Sequence, residues 1–300
     1  MSIAPVKVII TAGAGPGDNH EAAERLAAVF KKSEMDADIS IAESGAEVDR
    51  LAREAARGPF KIVVAAGGDG TISSVTSAII DTDKILGVLP LGTLNHFAQD
   101  LGIPLELEAA AQTIVDGFTT EIDVAAVNDR IFLNNSSLGL YPIIVRERQK
   151  RERLGFGKWP AFFWATIQAF RRYPLLDVRL RVNGELLDRR TPFVFVGNNE
   201  YAMDLLNIGL RERLDKGVLS IYITHRTGRL RLIGLALRAV FGRLQNDKDF
   251  LALRSSEVKI QSAHKRLRVA LDGEITVMEP PLEYRVRPRT LRVIVPAESD

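Results

Sequence analysis

The sequence predicts a two-part α/β fold, in which a mostly parallel sheet with helices precedes a β-rich, antiparallel part. Up to about residue 121, short apolar runs alternate with segments whose apolar residues recur at helical spacing, as in βαβ units. Beyond that point, runs of alternating polarity are joined by tight turns such as Asn183-Gly184, as in β-hairpins. We therefore expect an α/β domain over 1–121, with residues from about 289 to 300 packing back on it, and a β-rich domain over 122–288.

The elements of the first domain follow from its hydrophobic pattern. Strands are predicted where apolar, often β-branched residues run together, and helices where apolar residues recur every three or four positions. The predicted strands cover 6–10, 39–41, 62–66 and 85–89, and the predicted helices cover 23–30, 48–55 and 72–80. Because strands and helices alternate regularly, we expect a Rossmann-like parallel sheet.

The second domain is predicted as antiparallel sheet with two helical stretches. Hairpins are predicted at 122–133, around Asn128-Asp129, and at 178–187, around Asn183-Gly184. Further strands are predicted at 193–196, 218–223, 257–260, 267–271 and 291–295, and helical patterns cover 158–172 and 228–243.

Composition excludes several classes of function. The chain has 300 residues, 46% hydrophobic and 26% charged, which is typical of a globular protein. The net charge of +2 selects no class of partner. Without cysteine there is no disulfide, thiolate metal site or cysteine nucleophile. No apolar run approaches the roughly 20 residues of a membrane-spanning helix, and no secretory signal is evident. These features predict a cytoplasmic protein without a transmembrane segment.

A glycine-rich loop, Gly67-Gly68-Asp69-Gly70-Thr71, lies between a predicted strand and a predicted helix. Such a turn lets backbone N–H groups approach phosphate oxygens, and the helix N-terminus favours negative charge. An aspartate there would repel phosphate unless a cation lies between them, which makes Asp69 a candidate metal partner. The alternative is a tight turn in which Asp69 caps the helix.

A second loop follows the next strand about twenty residues later, where Gly92 and Thr93 supply a close backbone approach and a hydroxyl. Because parallel strands end at the same edge of a sheet, both loops are expected to face one crevice. Two such loops in consecutive βα units favour a phosphate-binding site over a packing role.

Five segments together resemble one family. They are Gly67-Gly68-Asp69-Gly70-Thr71, PLGTLNHFAQDLGIP at 90–104, Ile122-Asp123, NNSSLG at 134–139, and Leu271-Asp272-Gly273-Glu274. In this order they resemble the diacylglycerol kinase catalytic-domain family, which includes bacterial lipid kinases, sphingosine kinases and ceramide kinases. The first segment is shared with NAD kinases, whereas the PLGT and DGE segments favour the lipid kinases.

The resemblance implies an NAD kinase/diacylglycerol kinase-like fold that binds ATP between an α/β domain and a β-rich domain. It implies that Mg²⁺ is organised through water by Asp69 and Asp123, and that Glu274 is the general base on the acceptor hydroxyl. The implied nucleotide contacts are Thr11, Gly13, Gly15, Gly67, Gly68, Asp69, Gly70, Thr71, Ser73, Gly92, Thr93 and Asn95. An ordinary hairpin turn is the alternative interpretation of Asp272-Gly273-Glu274.

Two positions depart from the family pattern. His96 stands where many members have aspartate, so the metal network is expected to rest on Asp69 and Asp123. Lys216 stands, after Asp215, where several bacterial members have an aspartate that binds a structural Mg²⁺. We expect that metal to be absent or displaced, because Lys216 puts an ammonium in that place.

Two segments suggest where a lipid would be met. Residues 146–172 and 225–243 are basic and rich in aromatic or aliphatic residues, which suits an anionic membrane surface. The alternative is that these apolar residues pack in the domain core. The arginines are interleaved with aliphatic residues rather than gathered in a basic stripe, so nucleic acid is not an expected partner. A homodimer through an exposed strand edge is also allowed.

The function predicted from the sequence is an ATP- and Mg²⁺-dependent lipid kinase, with diacylglycerol as the first candidate acceptor. It is expected to associate peripherally with the inner face of the membrane. A sphingoid base or ceramide is an alternative acceptor. An NAD-kinase-like enzyme, or a non-catalytic membrane-binding protein gated by nucleotide, would also fit the sequence.

Overall fold

A computed structural model describes residues 5–13, 19–139, 175–201, 211, 213–224 and 250–297. The chain divides into two compact units, 1–124 with 288–300, and 125–287. The predicted helical patterns at 158–172 and 228–243 lie outside the described residues. Among the described helices, none is both long and apolar enough to cross a membrane.

The first unit alternates strands with helices, as the hydrophobic pattern predicts. Its elements are β1 (Val6–Thr11), α1 (Asn19–Lys32), β2 (Ala37–Ala42), α2 (Gly45–Arg57), β3 (Ile62–Gly67), α3 (Asp69–Ile79), β4 (Ile85–Pro90), α4 (His96–Asp100) and α5 (Leu107–Asp116). The strands pair in parallel in the order β2-β1-β3-β4. The central strand β3 is buried along its whole length, which explains its continuous run of Ile, Val and Ala.

Two strands run across the boundary between the units. β5 (Thr119–Val127) leaves the first unit, and β16 (Leu282–Ile294) returns to it. Val293 of β16 pairs in parallel with Leu86 of β4. The Val295 N–H donates to the Phe118 carbonyl oxygen at 2.9 Å, so the C-terminal segment is hydrogen-bonded within the first unit.

The second unit is antiparallel sheet. Its remaining strands are β6 (Arg130–Phe132), β7 (Asn135–Gly139), β8 (Leu176–Val182), β9 (Glu185–Thr191), β10 (Phe193–Asn198), β11 (Leu219–Thr224), β12 (Phe250–Ser255), β13 (Glu257–Ser262), β14 (Leu267–Leu271) and β15 (Glu274–Met278). Six of them form a sheet in the order β12-β11-β10-β7-β14-β15, while β8 and β9 extend from β13, which pairs with the first half of β16. Alternate residues of these strands meet in one apolar core.

Both predicted hairpins are confirmed, as β5–β6 and β8–β9. Three strands, β7, β12 and β15, were not predicted, and neither were the helices α4 and α5. β7 carries the sequence Asn-Ser-Ser-Leu-Gly, whose first residues are polar although Ser136 and Ser137 are buried. A strand that buries polar residues has no hydrophobic alternation to reveal it.

Candidate active site

The first glycine loop connects β3 to α3. Gly68 is the N-cap residue of α3. Because it has no side chain, it offers no side-chain acceptor to the first N–H groups of the helix. A Cβ at Gly67 would overlap the Thr71 side chain, so only glycine fits there. The Thr71 and Thr11 hydroxyls are hydrogen-bonded at 2.7 Å, which ties α3 to the end of β1.

Asp69 joins the two glycine loops. Its Oδ1 accepts the Phe97 N–H at 3.1 Å, and its Oδ2 accepts the His96 N–H at 3.3 Å. These are the first amides of α4, so Asp69 caps a helix, although not the helix on which it lies. A carboxylate is well suited to this position because a helix N-terminus favours negative charge.

The second loop approaches the first through its backbone. A Cβ at Gly92 would lie 2.5 Å from the Gly68 Cα and 2.6 Å from the Asn95 Oδ1. Asn95 has a left-handed backbone with φ of 52°, and its Nδ2 donates to the Gly92 carbonyl oxygen at 2.9 Å. Its buried Oδ1 has no hydrogen-bond partner in the part of the chain that the structure describes. That oxygen is a buried, unused acceptor beside Gly92.

The structure places the predicted nucleotide residues along one edge of the first unit. β1, β3 and β4 are parallel, and their carboxyl ends lead into these residues. Thr11, Gly13, Gly67, Gly68, Asp69, Gly70, Thr71, Ser73, Gly92, Thr93 and Asn95 lie at those strand ends or in the turns and helix starts that follow. Gly15 lies outside the described residues.

Asp123 is fully buried on β5. Its Oδ1 accepts the Arg289 N–H at 2.9 Å, where β16 has a left-handed residue with φ of 47°. The carboxylate therefore fixes an irregular point of the returning strand.

The donor set fits a magnesium ion that is held mainly by water and phosphate. Among the described residues, no three histidine or carboxylate side chains gather as a metal cage. Mg²⁺ characteristically keeps several waters and takes one or two protein carboxylates together with substrate phosphates. Asp69, which lies in the first glycine loop and bonds to the start of α4, is a carboxylate of that kind.

The Asp272-Gly273-Glu274 segment forms the turn between β14 and β15. Asp272 and Gly273 have φ of 46° and 84°, the left-handed pair that a two-residue hairpin requires. The hairpin interpretation is therefore correct for the backbone. It does not exclude a chemical role, because Glu274 follows the turn with an exposed side chain.

Asp272 is held by backbone amides of the segment between β6 and β7. Its carboxylate accepts the N–H groups of Leu133 and Asn134, both at 2.8 Å, and of Asn135 at 3.0 Å. Burial raises the pKa of Asp272, while these three donors and the charge of Arg211 lower it. Residues 134–139 belong to a motif of the sequence, whereas Arg211 lies in no recognisable pattern and was not predicted.

Lys216, the second position at which the sequence departs from the resemblance, makes an ion pair. Its Nζ donates to Glu200 Oε2 at 2.9 Å, and its N–H donates to Asn199 Oδ1 at 3.0 Å. The carboxylate of the preceding Asp215 accepts two hydrogen bonds from Arg213, at 2.9 and 2.7 Å. Lys216 and Arg213 therefore bind the carboxylates of Glu200 and Asp215, respectively.

Comparison with known proteins identifies the family. The model of the diacylglycerol kinase catalytic domain matches residues 5–127, and that of the YegS C-terminal NAD kinase beta sandwich-like domain matches residues 141–295. A diacylglycerol kinase of Bacillus subtilis is 27% identical over 256 residues, which cover 84% of each chain. A diacylglycerol kinase of Staphylococcus aureus is 24% identical over 259 residues, 82% of each chain.

A solved structure shares the fold. The crystal structure of a diacylglycerol kinase from Bacillus anthracis superposes with a TM-score of 0.73 at 20% identity, over 99% of this chain and 98% of that one. The two family models together span nearly the whole sequence, and they follow one another in the same order as the two units. The chain therefore belongs to the family of lipid kinases that carry the diacylglycerol kinase catalytic domain.

Proposed function

We propose that this protein transfers the γ-phosphoryl group of ATP, with Mg²⁺, to the free hydroxyl of diacylglycerol and so forms phosphatidic acid. The observation that carries this proposal is the pair of glycine loops joined by the Asp69 carboxylate. Relatives that match over most of their length and are named diacylglycerol kinase support the choice of acceptor.

The nucleotide would be held mainly by backbone. The loop at Gly67–Gly68 and the start of α3 present N–H groups to phosphate oxygens, and the lack of side chains at Gly68 and Gly92 permits close approach. The buried Oδ1 of Asn95 would accept a hydrogen bond from the nucleotide or from a bound water. This arrangement suits phosphoryl transfer, in which the protein chiefly positions the reactants and neutralises charge.

Asp69 and Asp123 are the residues that would organise Mg²⁺ through water. When bound, the ion would neutralise the negative charge on the phosphate oxygens. Asp69 already accepts two backbone N–H groups, so its carboxylate is oriented before any ligand arrives. Asp123, with one oxygen bonded to Arg289, would act from a fixed position on β5.

Glu274 would be the general base. Its carboxylate would take the proton of the lipid hydroxyl while the hydroxyl oxygen forms a bond to the γ-phosphorus and the bond to the ADP oxygen breaks. The proton would then leave to water, and the products would be ADP and the lipid phosphate. An exposed carboxylate at the start of β15 can exchange that proton with solvent.

Three further proposals complete this function. The protein works in the cytoplasm as a peripheral enzyme at the inner face of the membrane, because its acceptor lies in a bilayer. It forms a homodimer through an exposed strand edge. It holds no structural Mg²⁺ near Asp215, since Arg213 binds that carboxylate and Lys216 binds Glu200.

The acceptor can be identified by transfer of labelled γ-phosphate from ATP with Mg²⁺ to mixed-micelle diacylglycerol, sphingosine and ceramide, and to NAD in solution. We expect label in diacylglycerol. Label in sphingosine or ceramide alone would overturn the acceptor, and label in NAD without any in lipid would overturn the lipid kinase. Binding of ATP and liposomes without transfer to any acceptor would favour a non-catalytic protein.

A further inference from the structure

The segment Leu133–Asn135, which links β6 to β7, is held by two groups of opposite charge, the buried Arg211 and the half-buried Asp272. Asp272 accepts its three N–H groups at 2.8 to 3.0 Å. Arg211 binds its oxygens, because Nη1 donates to the Leu133 carbonyl at 2.6 Å and Nη2 donates to the Asn134 Oδ1 at 2.6 Å. The segment is thus fixed through both its donors and its acceptors.

Arg211 is buried and is bonded on several sides. The residue is 3% exposed, and its Nη1 also donates to the Asn198 carbonyl at 3.1 Å. Its guanidinium carbon lies 5.6 Å from the centre of the Tyr201 ring, and the Tyr201 hydroxyl donates to the Asn134 carbonyl at 2.9 Å. A buried cation is costly unless it is well bonded, so three oxygen acceptors and an aromatic face are the compensation that its burial requires.

The same segment holds the turn that carries Glu274. Besides the three bonds to its carboxylate, Asp272 donates its own N–H to the Asn135 carbonyl at 2.9 Å. Four hydrogen bonds therefore fix Asp272 to the segment, and Glu274 follows two residues later. A shift of the segment would move Asp272, and with it the start of β15.

We propose that Arg211 is a positioning residue for phosphoryl transfer, which orients Glu274 through the Leu133–Asn135 segment and Asp272. The inference rests on the proposed role of Glu274 as general base. The guanidinium fork reaches three oxygens in fixed directions, whereas a lysine ammonium at this position is a single point charge on a flexible stem. Lysine would therefore keep the charge and lose the geometry.

The test is a kinetic cycle on the full chain with Arg211→Lys, Glu274→Gln and the double variant. Arg211→Lys is expected to lower kcat for lipid phosphorylation by about tenfold to a hundredfold, because small misplacements of reacting groups cost about that much. The KM for ATP is expected to stay within about twofold, since the nucleotide loops lie in the first unit. In the Glu274→Gln background, Arg211→Lys is expected to cost little more.

Two matched variants keep this test decisive. Arg179→Lys, at an exposed position of β8 and paired with Asp188, is expected to leave kcat unchanged. Asn134→Ala removes a single acceptor of Arg211 and is expected to give the same pattern at smaller size, which serves if Arg211→Lys does not fold. Rates are normalised to ATP-binding sites so that unfolded protein does not count as lost kcat.

The outcomes separate this inference from the proposed function. If Glu274→Gln leaves the transfer rate unchanged, then Glu274 is not the base, and both the proposed role and the inference fail. If Glu274→Gln lowers the rate but Arg211→Lys lowers it equally in both backgrounds, Arg211 acts independently of Glu274 and the inference alone is overturned. An unchanged kcat in Arg211→Lys overturns it as well.

Discussion

Asp69 occupies the first position of α3, yet its carboxylate bonds to the first amides of α4, the helix that follows the other glycine loop. The residue that a phosphate loop would be expected to exclude on charge grounds therefore holds two loops together. Gly68 and Gly92 lie so close that side chains at Gly92 are excluded. At the scale of single residues, the candidate site therefore depends on the close approach of two backbone segments and on the Asp69 carboxylate that bonds them together.

Gly92→Ala tests that proximity. The added Cβ would lie 2.5 Å from the Gly68 Cα, so the loops must separate, and we expect ATP affinity to fall by about tenfold or more, in keeping with the cost of overpacking. Calorimetric titration of ATP gives the change. Gly45→Ala, at the start of α2 with open space around it, is the matched control and is expected to bind ATP normally. Equal affinities for all three proteins would contradict the close-approach role.

The place of the two glycine loops, directly after β3 and β4, could be predicted from the sequence, because glycines between an apolar run and a helical pattern are a local signal. The Asp69 contacts could not, because capping of α4 depends on how two distant loops meet. Arg211 was missed for a related reason. A single arginine carries no periodicity, and its burial is decided by acceptors 13 to 78 residues away along the chain.

Two hairpins of the second unit share one turn geometry. Asn183-Gly184 joins β8 to β9 with φ of 50° and 82°, and Asp272-Gly273 joins β14 to β15 with φ of 46° and 84°. A Cβ at either glycine would meet nothing within 4 Å. At the scale of elements, the β8–β9 hairpin and the β14–β15 hairpin, which carries Glu274, therefore require the same positive φ angles in their turns.

Gly273→Ala and Gly184→Ala separate stability from chemistry. Each forces a positive φ on alanine and should lower the free energy of unfolding by about 1 kcal/mol. We expect Gly273→Ala alone to lower kcat for lipid phosphorylation, because Glu274 is the next residue. Denaturant melts and steady-state rates of the two variants give the comparison. Equal rates for both would show that the turn does not position a reacting group.

Hairpins and parallel strands were predictable because alternation, apolar runs and Asn-Gly turns are local signals. β7 was not, since its Ser136 and Ser137 are buried and the Ser136 hydroxyl lies 3.0 Å from that of Tyr284, on β16 and 148 residues away. α4 is five residues long and its N-terminal amides bond to Asp69. Elements stabilised by distant partners leave little trace in their own sequence.

The apolar core of the second unit includes Tyr284, which is 1% exposed and packs edge-on against Phe132 at 6.2 Å between ring centres. Burial raises the pKa of its hydroxyl, and the bond to Ser136 lowers it by a smaller amount. At the scale of the whole molecule, the folded chain must therefore keep this phenol protonated. The stability of the folded chain is therefore expected to fall at alkaline pH.

The sign of that dependence follows from linkage. Because the folded pKa of Tyr284 lies above the ordinary tyrosine value of about 10, its contribution is fully present below pH 10 and is lost as pH rises further. The loss should approach about 1.4 kcal/mol per pH unit. Tyr284→Phe should lose about 1 kcal/mol at pH 7 with the hydrogen bond, but fall less steeply than the wild type above pH 10. The free energies of unfolding of both proteins can be measured by urea melts from pH 9 to 11. An equal fall with pH in both would contradict a raised pKa for Tyr284.

The most direct test of lipid phosphorylation by this chain is the rate of phosphate transfer from ATP to diacylglycerol in mixed micelles, measured with ATP binding for four variants. Glu274→Gln is expected to bind ATP normally and to lose about a hundredfold or more in kcat, as for removal of a general base. Asp69→Asn is expected to lose both binding and transfer. The exposed controls Glu185→Gln and Asp36→Asn should match the wild type. Full transfer by Glu274→Gln and Asp69→Asn would contradict the assignment of these carboxylates to the reaction.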